Sequence, residues 1–158
     1  MATVKILGQT AGYGGMSPYG NTSNNKFTLE TTATGAAKNS NSTTALQIGD
    51  EVVLGVMDAG FRLDDSQIVI STGLTAAVTG SLGFKYVDGV DSTEVPQDAV
   101  YFGTGLALTT AARLRNATTK AIVKLPKAAN LVLTIAGAAN AKVSYVDFVI
   151  TGELTGPK

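Results

Sequence analysis

Acidic side chains are the first candidates for chemistry in this sequence. Asp58, Asp64 and Asp65 lie close together, as do Asp88, Asp91 and Glu94, and oxygen-rich loops of this kind can hold Ca²⁺. The segment Asp88-Gly89-Val90-Asp91-Ser92 lacks the further acidic ligand and closing Glu of a twelve-residue EF-hand loop. Turn-forming, solvated aspartates are therefore the preferred reading. Gly12-Tyr13-Gly14-Gly15 has the composition of a phosphate cradle, but no Lys-Ser/Thr pair follows it and no strand-to-helix context surrounds it, so it reads as flexible chain. Arg113 with Arg115, and Lys120, Lys124 and Lys127, form two small basic spots. These are either solvated faces or contacts for an acidic protein surface.

Catalysis finds no support beyond these groups. Histidine, cysteine and tryptophan are absent, which removes the usual base of a Ser triad, the commonest zinc and iron ligand, and any thiol nucleophile. A Ser-Lys dyad is conceivable but nothing in the sequence marks one. The expectation is a protein that is not an enzyme and needs no cofactor, metal or disulfide.

Twelve basic and twelve acidic residues give a formal net charge of zero, and charged residues make up 15% of the 158, against about 25% in a typical domain. Polarity must come from Thr, Ser, Asn, Gln and Gly. Weak long-range repulsion between copies favours self-association. The scattered Lys and Arg argue against nucleic acid, whose binding draws on clustered basic charge. The longest apolar runs, such as Leu131 to Ala139, fall short of the roughly 20 residues a bilayer crossing needs, so no membrane partner is expected. Met1 to Gly8 has no charged start followed by a long apolar core, which predicts a chain made and used without export.

Short strands must position whatever function exists. Residues 48 to 92 carry apolar β-formers in runs of strand length, each closed by a Gly or Asp signal. Before them, residues 3 to 7 fit a strand. Gly8 to Asn25 is a Gly-, Ser-, Asn- and Thr-rich stretch, either a loose arm or one that orders against a neighbour through Tyr13, Met16 and Tyr19. Lys26 to Thr32 alternates with Phe27, Leu29 and Thr31 on one face. Thr34 to Thr44 reads as an exposed connection. Val52 to Met57 is apolar on both faces and predicts a strand covered on both sides, and Asp58-Ala59-Gly60 predicts a turn. Phe61 and Leu63 precede a break at Asp64-Asp65-Ser66, and Ile68 to Ile70 forms the next strand. Leu74 to Val78 and Leu82 to Tyr86 flank Gly80, a turn or bulge, and Asp88-Gly89 is a hairpin-type dipeptide.

Val95 to Phe102 predicts extended chain, while Leu106 to Leu114 fits either a short helix or a strand. Ile122 to Leu125 and Leu131 to Ile135 are strands, and Lys142 to Thr151 is the last, ending at Gly152. Phe84, Tyr86, Tyr101, Phe102, Tyr145 and Phe148 lie within these runs and are mostly core, with one or two of the tyrosines at an interface. About ten short strands with regular turn signals define an all-β chain, an antiparallel β-sandwich or barrel with at most one short helix. The 158 residues suit a single β domain, of which residues 1–25 form a partly extended, glycine-rich amino-terminal arm.

The order Ile48-Gly49-Asp50 to Gly55, Ala59-Gly60-Phe61-Arg62-Leu63 with Asp65-Ser66, Leu82-Gly83-Phe84, Asp88-Gly89-Val90-Asp91 and Ala99 to Phe102 resembles the head decoration, or cement, proteins of tailed bacteriophages. The likeness spans roughly residues 46–152. It implies a mainly β fold of sandwich or jelly-roll type, assembly as a homotrimer, and a place on the outside of the virion capsid, bound to the major capsid protein, after synthesis in the host cytoplasm. No catalytic residues belong to that family, so none carries over. On this reading Tyr13, Met16, Tyr19, Arg113 and Arg115 are the interface candidates. A carbohydrate- or receptor-binding module of a phage fibre or tail is the alternative.

Overall fold

A computed structural model of the chain describes residues 1–9, 21–115 and 118–155. Within them run ten strands: β1 (Thr3–Lys5), β2 (Thr22–Glu30), β3 (Glu51–Met57), β4 (Phe61–Thr72), β5 (Thr79–Tyr86), β6 (Asp98–Ala107), β7 (Ala112–Arg115), β8 (Val123–Lys124), β9 (Ala129–Ala136) and β10 (Tyr145–Leu154). One sheet has the order β1-β3-β9-β5-β6, the other β2-β10-β4-β7, with β8 also paired to β4. All pairings are antiparallel except that of β1 with β3. Setting β1 and β8 aside leaves eight strands. The second sheet then holds the first, eighth, third and sixth of them, and the first sheet holds the second, seventh, fourth and fifth. That is the strand order of a jelly roll, two interlocked Greek keys closed face to face.

The alternating pattern puts the core between the sheets. Phe27, Leu29 and Thr31 are buried, as are Val146, Phe148 and Ile150 of β10 and Leu131, Leu133 and Ile135 of β9. Phe84, Tyr101 and Phe102 meet edge to face, with centroids 5.4 Å and 4.9 Å apart, the geometry that ring quadrupoles favour. Of the aromatic set expected in the strand runs, Tyr145 alone lies outside the core, on the outer face of β10 and 37% exposed, as expected of one or two of its tyrosines.

Several boundaries differ from the sequence pattern, each for a physical reason. The Asp64-Asp65-Ser66 segment does not break a strand. β4 runs unbroken for 12 residues, and Asp64 is the extra residue of a bulge, since Thr151 pairs with Asp65 and Gly152 with Leu63. The bulge switches the alternation so that Leu63 and Ser66 both face inward. A second bulge corrects β3. Val53 pairs with Val132 and Gly55 with Leu131, so Val52, Leu54 and Met57 are buried while Val56 is exposed, and the strand is not covered evenly on both sides. A Cβ at Gly55 would stand 2.5 Å from the Phe27 ring. The glycine is what lets Phe27 of the opposite sheet lie on the β3 backbone.

β10 does not end at Gly152 but continues to Leu154. Its glycine marks a close backbone crossing, because a Cβ there would meet the Arg62 carbonyl oxygen at 1.8 Å. β2 begins at Thr22, four residues before the alternating stretch that starts at Lys26, because Thr22 to Asn25 pair with Glu153 to Ile150. Leu74 to Val78 is a loop rather than a strand, although Leu74 and Val78 are buried. Leu106 to Leu114 is not helical: β6 runs to Ala107 and β7 starts at Ala112. The Thr34 to Thr44 segment is not simply exposed, since Ala36 and Ala37 are buried.

Candidate interaction surface

Of the interface candidates, Tyr13, Met16 and Tyr19 lie outside the described residues. Arg113 and Arg115 sit on β7, at the edge of the second sheet, on its outer face opposite Val69 and Gln67. Arg115 is held by Asp65, its Nε 2.9 Å from Oδ2. Arg113 has no acidic partner among the described residues. The pair is therefore one compensated and one open charge rather than a basic patch. The rest of this face is also internally paired. Arg62 donates to Asp64 through Nε at 2.6 Å and meets Glu153 at 2.9 Å, and both carboxylates hold its guanidinium protonated well above the usual range, the Asp64 hydrogen bond contributing most. Lys26 reaches Asp147 at 3.3 Å.

The outer face of the first sheet carries a different device. Val132 is 1% exposed yet lies on the face of β9 turned away from the core, between Val53 and Gly83. Lys85 pairs with Glu51. In register, Lys85 is level with Asn130 and Glu51 with Thr134, so the ion pair arches across β9 over Val132. The lysine stem shields the valine while its ammonium stays near water.

The acidic groups read as turn formers and ion-pair partners. Asp88 accepts from Lys127 and from Val90 N–H at 3.0 Å, and the Lys127 bond holds its carboxyl below the usual range. Asp91 accepts from Ser92 N–H at 2.8 Å and Gln97 N–H at 2.7 Å, without a cation among the described residues. Among those residues no group of three His, Cys, Asp or Glu side chains converges as a metal site would.

Sequence reasoning passed over Asn140. It is 1% exposed and its side chain ties three segments together. Oδ1 accepts from Thr75 N–H at 3.1 Å and Thr75 Oγ1 at 3.2 Å. Nδ2 donates to Lys142 O at 3.0 Å, Thr31 Oγ1 at 3.2 Å and Gly35 O at 3.3 Å. Thr31 Oγ1, 2.7 Å from Ser144 Oγ, extends the network. The available signal was an Asn following a glycine turn just ahead of the last strand, which is too common to single out. Near this network a polar hollow lies between Thr32 and Thr43, but the hydroxyls of Thr32, Thr34, Ser40 and Ser42 are engaged with other hydroxyls or with backbone, as in Thr32 Oγ1 to Thr34 Oγ1 at 2.9 Å.

A more apolar groove of about 330 Å³ runs between residues 94–98 and 120–123, floored by Phe84 and Tyr101 and walled by Val95, Pro96 and Val123. At its rim Lys120 meets Asp98 at 2.9 Å. Burial opposes ionisation of Asp98, but the Lys120 bond and the Val100 N–H outweigh it and keep the carboxyl below its ordinary range. Burial raises the Tyr101 hydroxyl, which donates to Ala121 O at 2.7 Å. Beside the groove, Ile122 is 62% exposed, with Val90 and Val100 also open to solvent.

The architecture defines an eight-strand jelly-roll sandwich with two added strands, whose described surfaces offer ion pairs, hydroxyls and isolated apolar side chains rather than converging reactive groups. No protein-family model matches the chain, and no curated protein sequence matches it. Among solved structures it is similar to a chain from the capsid of Ralstonia phage GP4, with a TM-score of 0.65 and 11% identity over 99% of this chain and 99% of that one. At that identity the similarity is one of fold.

Proposed function

We propose that this chain is a non-enzymatic structural protein of a bacteriophage virion, bound to the outside of the capsid shell and reinforcing it. The observation that carries this reading is the end-to-end agreement of fold with a phage capsid chain, covering 99% of both chains, set beside the resemblance of residues 46–152 to head decoration proteins. The partner in this reading is the major capsid protein, the protein itself is a homo-oligomer with a trimer favoured, and Tyr13, Met16, Tyr19, Arg113 and Arg115 contribute to its contacts. The open charge of Arg113 supports a role for β7 in such a contact.

A protein that binds only the assembled shell stabilises it by mass action. Three linked copies would turn weak single contacts into high occupancy. The test is to mix purified protein with undecorated shells and follow binding by sedimentation and shell disruption by heating. Saturable binding with a raised disruption temperature supports the reading. Absence of binding to mature shells overturns it, and glycan-array binding in its place would favour the fibre or tail module.

A further inference from the structure

β1 and β6 are the two edges of one sheet, separated by β3, β9 and β5, so they stand about 19 Å apart at the usual 4.8 Å spacing. Neither edge is a bare strand. β1 is covered by the loop at Asn39–Asn41, with Lys5 N–H donating to Asn41 Oδ1 at 2.7 Å and Asn41 N–H to Lys5 O at 3.1 Å. Alongside β6, Thr118 Oγ1 donates to Tyr101 O at 2.9 Å. Beside these contacts both edges present exposed apolar side chains. The β1 edge carries Met1 and Leu7, with Ile48 of the adjoining turn 59% exposed, and on the β6 side Val100 of the strand, Val90 of the β5–β6 connection and Ile122, which lines a hollow with Tyr101 and Phe102, are exposed. The uncompensated charges are opposite in sign. Lys5 of β1 has no carboxylate among the described residues, and Asp91, on the β5–β6 connection, has no cation among them.

We infer that the β1 edge of one copy docks against the β6 edge of the next, apolar side chains meeting apolar side chains and Lys5 facing Asp91. Two different patches on one chain make a head-to-tail contact, and such contacts close into rings when the rotation permits. A protein of zero formal net charge opposes this with little long-range repulsion. The inference rests on the self-association in the proposed function and adds which surfaces meet.

The test is light scattering with size-exclusion chromatography on the full chain and on Ile122→Asp, Ile48→Asp, Lys5→Asp, Asp91→Lys and the Lys5→Asp/Asp91→Lys double variant, with circular dichroism to show that each folds. Each Ile→Asp variant should weaken assembly at least about tenfold, as loss of an interface anchor does. Mixing Ile122→Asp with Ile48→Asp should restore a single contact, giving a dimer from two monomers. The charge reversals should each weaken assembly and the double variant regain it. If the wild type assembles and the folded Ile→Asp variants assemble equally well, the assignment of surfaces is overturned while self-association stands. If the wild type is monomeric throughout yet binds shells, self-association itself fails and the inference with it.

Discussion

Replacing Asn140 by Ala removes five side-chain hydrogen bonds at a site 1% exposed to solvent. Most of the partners keep another bond. Gly35 O still accepts from Leu46 N–H at 3.2 Å, Lys142 O from Thr31 Oγ1 at 2.8 Å, and Thr75 Oγ1 still takes Ala141 N–H at 2.8 Å. The Thr75 N–H and the Thr75 hydroxyl proton both lose their acceptor, at a half-buried position. An orphaned buried donor costs about 1–3 kcal/mol, least where water can reach it, and each further lost bond about 1 kcal/mol or less, so the expected loss is about 2–3 kcal/mol. Asn140→Asp separates electrostatics from packing. It sets a carboxylate oxygen against the three oxygens that Nδ2 now approaches at 3.0–3.3 Å, and burial with these oxygens raises the folded-state pKa of the introduced acid. The native state then binds more protons than the unfolded one, so the variant is least destabilised below the ordinary carboxyl range and loses stability as pH rises through it. Urea unfolding of wild type and both variants at pH 3.5 and pH 7, at matched concentration, reads this directly. An Ala variant within about 0.5 kcal/mol of wild type, or an Asp-minus-wild-type gap that ignores pH, would refute the clamp.

Other outcomes follow from the same geometry. Gly152→Ala should cost more than about 3 kcal/mol or abolish soluble expression, since the new Cβ would force β10 and β4 apart; Gly89→Ala, with open space but φ of 72°, should cost only about 1 kcal/mol by denaturant unfolding. A double-mutant cycle on Lys85→Ala and Glu51→Ala should give a coupling of about 0.2–1 kcal/mol, while Lys85→Met, which keeps the stem over Val132, should be milder than Lys85→Ala. Asp98 is held below its ordinary pKa, so its contribution is present above the unfolded value and fades as pH falls through the folded one. Thermal melts from pH 6 to pH 2 should show Asp98→Asn flattening part of that acid-side loss.

Much of the fold was legible because one-sided burial imposes a period of two, and Phe27-Leu29-Thr31 and Val146-Phe148-Ile150 obey it without interruption. What escaped were places where the period is broken and resumed. Asp64 looks like a stop because two aspartates and a serine interrupt an apolar run, yet a bulge absorbs the extra residue and the strand continues. Gly152 looks like an end for the same reason, while its lack of a side chain is what permits the crossing with Arg62. Thr22 to Asn25 carry no strand signal of their own, and pairing with β10 supplies it. The surface was less legible still. Arg115 and Arg113 are alike in sequence, and only the register that places Asp65 beside one of them tells them apart. Lys85 and Glu51 are 34 residues apart, and Asn140 meets Thr31 across 109, distances at which no local pattern speaks.

The positions of β9 and β10 govern how this chain reaches its folded state. Each is an interior strand, β9 between β3 and β5, β10 between β2 and β4, and they are the last two made. On the ribosome, β2 and β4 wait side by side without the strand that joins them, as do β3 and β5. The first sheet cannot close until synthesis has passed Ala136, nor the second until it has passed Leu154. At about 5–20 residues per second, the early strands spend several seconds with unpaired backbone and exposed Phe and Leu. Completion of both sheets is thus deferred until these late strands are made, and contacts of such long sequence separation form slowly. High expression would favour aggregation of unfinished chains over any fault in the finished one, and slowing initiation or lowering temperature should raise the soluble yield more than stabilising substitutions do.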